Sequence, residues 1–462
     1  LGDVYKRQCK GCTTCLKRCP TEAIRIRNNR ASILNERCID CGECIKVCAN
    51  HAKVAVTDPL ESIKRFKYPI ALPAPTLYAQ FQGVHQPEPI IASLFRLGFV
   101  DVFEVARAAE IVSYAISRAM REEDRPKPVI SSACPAILRL IQVSFPALLD
   151  NVIDFVSPME AAAKIAKEEY AQKHGVDKAD VGVFFITPCA AKMTAVKSPV
   201  GQEKSHVDGV IAIKDVYAQM RAAMKQGFSP LEIDRASVVG IKWAIPGGEV
   251  EAVGIKSSLC VDGIDNVINV LEAIEDARFR NLTYFEGLAC VNGCLGGPLT
   301  VENSFVAKNR LRSVMNRTLQ KTVQRREIFE DAVQTLRMTR PIEPSDALQL
   351  SGTMKERIER EERIERLTMG LPGLDCGSCG SPSCRALAED IVNGYANELN
   401  CVFRLNDRIN SLAAEMLTLG TSTRYTTGED MARLRRLHDE LSRSEPSEAP
   451  DGGADDDGGD ST

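Results

Sequence analysis

The hydrophobic positions in the middle of the chain alternate between short continuous runs and longer stretches with helical spacing. Four continuous apolar runs predict buried strands, at residues 68–72, 129–130, 181–186 and 210–213. Stretches with the spacing of an amphipathic helix lie at 86–97, 108–122, 136–148, 158–174, 214–226 and 264–276. Strands that alternate with helices are typical of an α/β fold, so we predict parallel sheets flanked by helices.

The two ends of the chain carry shorter patterns. Residues 23–27 alternate, Asn28-Asn29 can turn, and residues 33–34 return, so the sequence predicts a small hairpin. Towards the C-terminus, residues 351–368 predict a charged helical linker. Residues 384–400 predict one helix with a single buried stripe, which would consist of Leu387, Ile391, Tyr395 and Leu399.

Composition excludes several classes of protein. The chain has 462 residues, 44% of them hydrophobic, and a net charge of −4, so a nucleic acid or an anionic membrane is not the expected partner. No apolar run approaches the ~18 residues of a spanning helix. Many of the 17 cysteines have C-x-x-C spacing, and no export signal opens the chain. We therefore expect bound metal and a cytoplasmic location rather than disulfides.

Two cysteine runs near the N-terminus repeat one spacing, C-x2-C-x2-C-x3-C. Over residues 9–57 they resemble bacterial two-cluster ferredoxins, in which the fourth cysteine of each run binds the other cluster. The resemblance implies one 4Fe–4S cluster on Cys9, Cys12, Cys15 and Cys48, and a second on Cys38, Cys41, Cys44 and Cys19. The alternative is a pair of zinc sites, which usually join two C-x2-C units or add histidine.

Three further loops carry cysteines directly after predicted strands or within a glycine-rich segment. Cys134 follows the strand at 129–130, Cys189 follows the strand at 181–186, and the segment 286–297 contains Cys290 and Cys294. Loops at the carboxyl ends of parallel strands form the active sites of α/β domains. Glycines there are expected to let backbone amides approach a bulky inorganic ligand. A single buried cysteine is usually a packed thiol, but three such loops together predict a shared site.

These loops resemble the three H-cluster loops of FeFe-hydrogenases, and the resemblance covers nearly all of residues 9–405. In that family four cysteines hold a 4Fe–4S cubane, and one of them bridges it to a two-iron unit with CO, cyanide and a dithiolate amine. Lys192 matches a lysine that hydrogen-bonds one cyanide, and Pro75 and Thr76 match a segment that lines the other. The implied ligands are Cys134, Cys189, Cys290 and Cys294, with Cys294 as the bridge.

The resemblance implies an enzyme of the ferredoxin-hydrogenase type. Its expected reaction is heterolytic cleavage or formation of H2, with electrons passed through the 4Fe–4S clusters. The implied partners are H2, protons, ferredoxin or another redox or signalling protein, and the proteins that mature the H-cluster. The family's cofactor performs the bond chemistry, and the protein supplies position, dryness and routes for protons and electrons.

Several positions depart from the catalytic members of the family. Ala133 stands where catalytic members have a proton-relaying cysteine, and residues 111–121 contain no Asp or Glu. Thr187 and Leu288 replace two methionines, and the segment 157–160 also differs. These changes resemble the sensory members or a relative without a PAS domain, so we predict low turnover. The alternative is neutral drift with another proton path, through water or Glu160.

A fourth group of cysteines, Cys376, Cys379, Cys384 and Cys401, resembles a small one-cluster 4Fe–4S domain; zinc is again the alternative. Two other functions stay open: an ordinary ferredoxin-dependent hydrogenase, and a non-enzymatic protein that holds only cubanes.

The expected division of the chain is a non-native artefact at 1–8, the two-cluster domain at 9–57, the H-cluster domain at 66–345, the linker at 351–368, the one-cluster domain at 369–405, and a helix (429–442) with an acidic tail within 406–462. Whether native sequence is missing upstream of Cys9 is also left open.

Overall fold

The protein folds into two compact units, Leu1–Leu350 and Ser351–Thr462. The computed structural model describes residues 8–227, 234–318, 333–348, 350, 352–422, 428–430, 432–433 and 435–436. Most of the predicted helix at 429–442, the acidic tail and residues 1–7 lie outside the described residues. The finer division into domains stays a prediction.

The N-terminal segment of the first unit is built on a two-stranded antiparallel hairpin. Strand β1 (Ile24–Arg27) pairs with β2 (Arg30–Ile33), and the short helices α1 (Thr14–Lys17) and α2 (Glu43–Lys46) flank it. Asn28 and Asn29 form the turn with φ of +51° and +57°, a left-handed conformation that asparagine tolerates better than most residues. The predicted hairpin is therefore confirmed.

Two parallel sheets form the centre of the first unit. Their strands are β3 (Tyr68–Pro73), β4 (Asp101–Val102), β5 (Val129–Ile130), β6 (Val181–Thr187), β7 (Gly209–Ala212), β8 (Ser258–Asp262) and β9 (Tyr284–Leu288). One sheet has the order β4-β3-β6-β7 and the other the order β5-β9-β8. All of these neighbouring strands run parallel, so the carboxyl ends of each sheet's strands meet at one edge.

Helices cover both sheets. They are α3 (Glu88–Arg96), α4 (Val105–Glu122), α5 (Pro135–Ser144), α6 (Pro158–His174), α7 (Ala190–Lys197), α8 (Ile213–Met224), α9 (Val238–Lys242), α10 (Gly248–Val253), α11 (Ile264–Glu275) and α12 (Ser304–Arg317). Short 3-10 segments add Leu60–Arg65, Pro75–Ala79, Pro146–Asn151, Lys178–Asp180, Gly293–Gly296 and Asp346–Leu348. The predicted α/β class with parallel sheets flanked by helices is confirmed.

The four-stranded sheet is buried on both faces. Ile70, Leu72 and Val183 belong to a hydrophobic cluster shared with α4 and α6, whereas their neighbours Ala71 and Phe184 belong to a second cluster on the other face. Side chains that alternate along a strand point to opposite faces, so each face has its own core. A strand buried on both faces must be apolar throughout, which is why these strands could be predicted as continuous runs.

Strands of the second sheet were harder to predict. The sequence does not predict β8, whose residues are all only half-buried, or β9, where Glu286 and Gly287 interrupt the apolar run. Every predicted strand and helix of the central domain is present, with ends that differ by a few residues. No helix in the described part of the chain combines the length and the hydropathy that a membrane span requires.

The part of the second unit up to residue 422 that the structure describes contains the helices α13 (Met354–Gly370), α14 (Cys384–Val392) and α15 (Val402–Ser422), with a 3-10 turn at Glu398–Asn400. The predicted single helix at 384–400 is wrong beyond Val392. Gly394 takes a φ of +77°, and Tyr395 N donates to Asp390 O at 2.7 Å, which together end the helix in a Schellman motif. Consequently Tyr395 and Leu399 are exposed and only Leu387 of the predicted stripe is fully buried.

Candidate functional site

The three cysteine loops of the central domain lie at the carboxyl ends of parallel strands. Cys134 is the N-cap residue of α5 after β5, and Cys189 is the N-cap residue of α7 after β6. Cys290 and Cys294 follow β9, the latter in the 3-10 turn at Gly293–Gly296. Strand–loop–helix units of this kind direct loop residues to one edge of a sheet.

All eight residues predicted for the central site line one buried cavity of about 110 Å³. They are Pro75, Thr76, Ala133, Cys134, Cys189, Lys192, Cys290 and Cys294. The remaining walls are mainly apolar and include Met159, Trp243 and Leu288. The structure thus brings together residues that are separated by more than 200 positions in the sequence.

The four thiols at this cavity fit a metal cluster by their chemistry. Burial raises the pKa of Cys189 to about 12 and also raises the pKa of Cys290 and Cys294. Such thiols stay protonated at neutral pH unless a bound cation stabilises the thiolates. Within the described ranges, no three His, Cys, Asp or Glu side chains are grouped closely enough to hold a single metal ion.

Two polar groups at the cavity complement the thiols. The Lys192 ammonium donates to the carbonyl of Ala133 at 3.2 Å, which uses one of its three protons. The Thr76 side chain is fully buried, and its hydroxyl has no hydrogen-bond partner among the described residues. A buried hydroxyl without a partner is costly, so both groups fit an additional ligand that accepts hydrogen bonds.

Two glycines of the third loop permit close backbone packing. A Cβ on Gly297 would lie 2.3 Å from the carbonyl oxygen of Pro188 in the second loop. A Cβ on Gly296 would lie 2.0 Å from the carbonyl oxygen of Val291. The glycines therefore permit the loops to pack against protein backbone, and this close packing holds Cys290 and Cys294 near Cys189.

The sequence pattern did not predict two buried carboxylates that line the cavity. Glu249 is 2% exposed and accepts hydrogen bonds from the Ser131 hydroxyl at 2.7 Å and the Tyr284 hydroxyl at 2.6 Å. Glu286 is also 2% exposed and accepts from the Val250 amide at 3.0 Å. A signal was present, because Glu286 interrupts an otherwise apolar strand.

Burial raises the pKa of both carboxyl groups. For Glu286 the negative charge of Glu249 adds to the effect of burial, and for Glu249 the donors Tyr284 and Ser131 oppose it. Cys260 on β8 lies in register with Glu286 on β9 and is half-buried. Burial, and then the charge of Glu286, raise the pKa of the Cys260 thiol. The two carboxyl groups and this thiol thus form a chain of titratable groups from the cavity towards the surface.

Some of the departures from the catalytic pattern lie at a second cavity. Ala133, Lys192 and Glu160 line this cavity of about 40 Å³. Glu160 is buried and accepts hydrogen bonds from the Ser205 hydroxyl at 2.5 Å and the His206 amide at 2.9 Å. In the stretch 111–121 of α4 the buried side chains are Ile111, Val112, Ser113, Ala115, Ile116 and Ala119. This stretch therefore brings no carboxyl group to the cavity.

The N-terminal cysteines lie close to one another. Burial is the largest cause that raises the pKa of Cys15, and its thiol neighbours include Cys12, Cys48 and Cys9. Burial also raises the pKa of Cys44 to about 12, and there the thiol neighbours are Cys38, Cys19 and Cys15. The assignment of these cysteines to two clusters stays a prediction. Backbone amides also donate to the sulfurs of Cys9, Cys19 and Cys48 at 3.3–3.4 Å.

The second N-terminal group lies against the central site. Cys41 lines the main cavity together with Cys134 and Cys290. Gly42 packs so closely on Pro298 that a Cβ there would lie 2.5 Å from the proline ring. Lys46 on α2 lies near Cys290. Burial lowers the pKa of its ammonium, but the neighbouring Cys290 and Glu43 outweigh burial, so that the pKa is raised. These contacts bring the two predicted cluster sites into direct contact.

The cysteines of the second unit surround the start of α14 and the start of α15. Cys401 is buried, Cys379 and Cys384 are half-buried, and Cys376 is exposed. The Cys384 amide donates to the Asp375 carboxylate at 2.6 Å, which orders the loop before α14. Beneath this loop the fully buried Ser381 donates to Asp390 at 2.8 Å.

Comparison with known families gives three matches along the chain. Residues 67–254 match the C-terminal domain of the iron-only hydrogenase large subunit, and residues 4–49 match a 4Fe-4S dicluster domain. Residues 371–403 match an Fe-S cluster family. Cys134, Cys189 and Lys192 lie within the hydrogenase match, whereas Cys290 and Cys294 lie beyond its end.

Individual relatives are distant. The chain is 24% identical over 323 residues to the NADP-reducing hydrogenase subunit HndD of Solidesulfovibrio fructosivorans, covering 56% of this chain and 55% of that protein. It is 24% identical over 142 residues to the cytosolic Fe-S cluster assembly factor NAR1 homolog of Schizosaccharomyces japonicus, covering 30% of this chain and 27% of that protein. The chain thus spans about half or less of the length of these curated relatives.

The chain is also similar to a solved structure of an FeFe-hydrogenase variant from Chlamydomonas reinhardtii. The similarity covers 61% of this chain and 94% of that chain, with 15% identity and a TM-score of 0.47. The family matches and the hydrogenase relatives agree with one another along the chain. These matches support a protein of the FeFe-hydrogenase family, with a hydrogenase domain match at residues 67–254, an N-terminal ferredoxin-like domain and a C-terminal iron–sulfur domain.

Proposed function

We propose that this protein reacts with H2 at an H-cluster in the central cavity and exchanges the electrons through three further 4Fe–4S clusters. The observation that carries the proposal is the set of residues around the cavity of about 110 Å³. Four thiols account for a cubane, and the cavity retains Lys192 and the unpartnered hydroxyl of Thr76. A protein that held only cubanes has no evident use for these two donors.

The chain's residues fit the two-iron unit by charge and hydrogen bonding. When bound, that unit supplies the H–H bond chemistry. Lys192 is the one Lys, Arg or His among the described residues that line the cavity, so it would hold an anionic ligand. Thr76 would donate to a second acceptor, and Cys294 would bridge the two parts of the cofactor. The apolar walls exclude bulk water, which strengthens both interactions.

We propose that electrons pass between the central site and the second N-terminal cluster. Cys41 and Cys290 line the same cavity, and Lys46 lies near Cys290. A cation that donates to a cluster sulfur stabilises the more negative, reduced state of the cluster. Lys46 is thus placed to favour electron entry at the cubane. The external electron partner would be ferredoxin or a signalling protein in the cytoplasm.

Protons follow a route that differs from the catalytic pattern. The route that we propose runs from the cavity through Glu249 and Glu286 to the half-buried Cys260. Raised pKa values let the two carboxyl groups carry a proton near neutral pH. The pKa of Cys260 is raised as well, so this thiol rarely gives up its proton, and exchange with solvent is slow. This favours a low-turnover, sensory role over that of a ferredoxin-dependent catalyst.

The first prediction tests for the cofactor. Protein matured with the H-cluster assembly proteins should contain about 18 iron atoms per chain, against about 16 without maturation, by the ligand arithmetic of four cubanes and one two-iron unit. Its infrared spectrum should show CO and cyanide stretching bands. The measurements are iron analysis and infrared spectroscopy under anaerobic conditions, with H2/D2 exchange on the same samples.

Unmatured protein provides the matched control, because it has the cubanes and lacks the two-iron unit. Matured protein without CO or cyanide bands would leave the cubane-only function, which the iron–sulfur assembly relative represents. Bands without H2/D2 exchange would show that the cofactor binds but does not react.

The second prediction concerns the C-terminal cluster. Cys401→Ser should remove about four iron atoms and leave the infrared bands of the two-iron unit unchanged, because Cys401 belongs to a separate compact unit. The matched control is Ser383→Ala, which removes a helix cap beside Cys384 and spares the thiols. Full iron retention in the Cys401 variant would show that Cys401 is not a ligand, and zinc in the wild-type site would contradict a cluster there.

A further inference from the structure

Helix α15 carries an exposed apolar stripe that the proposed function does not use. Its members are Val402, Leu405, Ile409, Leu412, Met416 and Leu419, whose exposures range from 37% to 65%. Buried side chains of this size stabilise a fold, so a continuous exposed row of them indicates a contact surface. Among the described residues of the second unit this is the longest such row.

The spacing of the stripe indicates what covers it. Successive members are separated by three, four, three, four and three residues, which is the heptad repeat of a coiled coil. The first position of each heptad is Val402, Ile409 and Met416, and the fourth is always leucine. An apolar row with a strict seven-residue period keeps facing its partner only if the two supercoil around each other. The partner is therefore another helix of the same period. A second copy of this chain supplies one.

The charges beside the stripe select an orientation. In an antiparallel pair with Val402 opposite Leu419 of the second copy, all six layers are filled by apolar side chains. The same register places Arg408 beside Glu415 of the second copy, and it does so twice because the pair is symmetric. In a parallel pair the corresponding neighbours are Ala413 and Gly420, which carry no charge. Within one chain Arg408 and Glu415 are 3.8 Å apart, and both are more than half exposed.

We propose that α15 is a self-association surface through which two copies of this chain form an antiparallel two-stranded coiled coil. The remaining faces of the helix agree with this arrangement, because Asn410, Ser411 and Ala414 lie away from the stripe. Three heptads form a short coiled coil, so the dimer dissociates on dilution. This inference does not depend on the reaction at the central cavity.

The test is sedimentation equilibrium of the full chain with its clusters, under anaerobic conditions and over a series of concentrations. Wild type should dimerise reversibly. Leu412→Asp should raise the dissociation constant about 100-fold or more, because it buries two unpaired charges in the central layers. Ala414→Asp is the matched control, since it adds the same charge on the opposite face and should leave the dimer intact.

Charge reversal tests the orientation. Arg408→Glu and Glu415→Arg should each weaken the dimer about 3- to 10-fold, because each opposes like charges twice, and the double variant should restore it. Circular dichroism and iron content of each variant show that the helix and the cluster remain. A wild type that stays monomeric at every concentration would overturn the proposal. A dimer that responds to Leu412→Asp but to neither charge reversal would overturn the antiparallel arrangement.

Discussion

Matured protein with Glu249→Gln should turn over H2 about 10²–10⁴ times more slowly than wild type, the usual contribution of a positioned acid–base group. Glutamine keeps the size of the side chain and can still accept from Ser131 and Tyr284, but it cannot take up a proton. Iron content and infrared bands should be unchanged. The measurements are H2 oxidation with a dye acceptor and infrared spectroscopy on the same sample.

The pH profile gives this prediction a second readout. The pKa values of Glu249 and Glu286 are raised above the ordinary value of 4.5, so these groups stay protonated to higher pH. H2 oxidation needs the deprotonated form to accept a proton, and it should therefore rise with pH across the window above 4.5. H2 production needs the protonated form and should fall across that window. Glu249→Gln should remove this pH dependence as well as most of the rate.

Two variants serve as controls. Glu251→Gln changes a carboxylate on the same helix that is exposed and pairs with Lys242, so it should leave turnover unchanged. Ala133→Cys restores the missing thiol of the catalytic pattern, but no carboxyl group on the stretch 111–121 continues a relay from it. It should recover only a small part of the rate. Wild-type turnover in Glu249→Gln would exclude Glu249 from the proton route.

The sequence predicted the cluster loops because their chemistry is local. Cys134 and Cys189 each follow a continuous apolar run, so strand, loop and helix could be assigned together. The meeting of these loops with Cys290 and Cys294 depends on the order of strands in two sheets, which no local pattern contains. The resemblance to a known family supplied that step, and the shared cavity agrees with it.

The carboxylates were missed for a related reason. Glu249 lies in the first turn of a short helix that begins at Gly248, so the sequence suggests an exposed charge. The structure instead buries its carboxylate, which accepts hydrogen bonds from Ser131 and Tyr284. Burial of a charged group is a tertiary property, because it depends on which segments pack over it. The prediction of one helix at 384–400 was wrong because a local signal was overlooked. The helical apolar spacing continues past Gly394, the glycine that ends the helix.

Lys192→Met should abolish retention of the two-iron unit, so that matured protein keeps about 16 iron atoms and shows no CO or cyanide bands. The physical reason is the charge of the ligands. Lys192 is the one cationic side chain among the described residues that line the cavity, and an anionic group in a dry apolar site is costly without a partner. Methionine fills a similar volume without the charge, which preserves the packing around Cys189.

Two further variants separate charge from hydrogen bonding and from general damage. Lys197→Met removes an exposed lysine from the same helix and should keep all iron and all bands. Thr76→Val removes only the unpartnered hydroxyl, so the two-iron unit should bind and one cyanide band should shift. Lys192→Met protein with wild-type bands would show that the cofactor's charge is compensated elsewhere. A loss of bands in Lys197→Met would trace the effect to the fold of α7, because that lysine does not line the cavity.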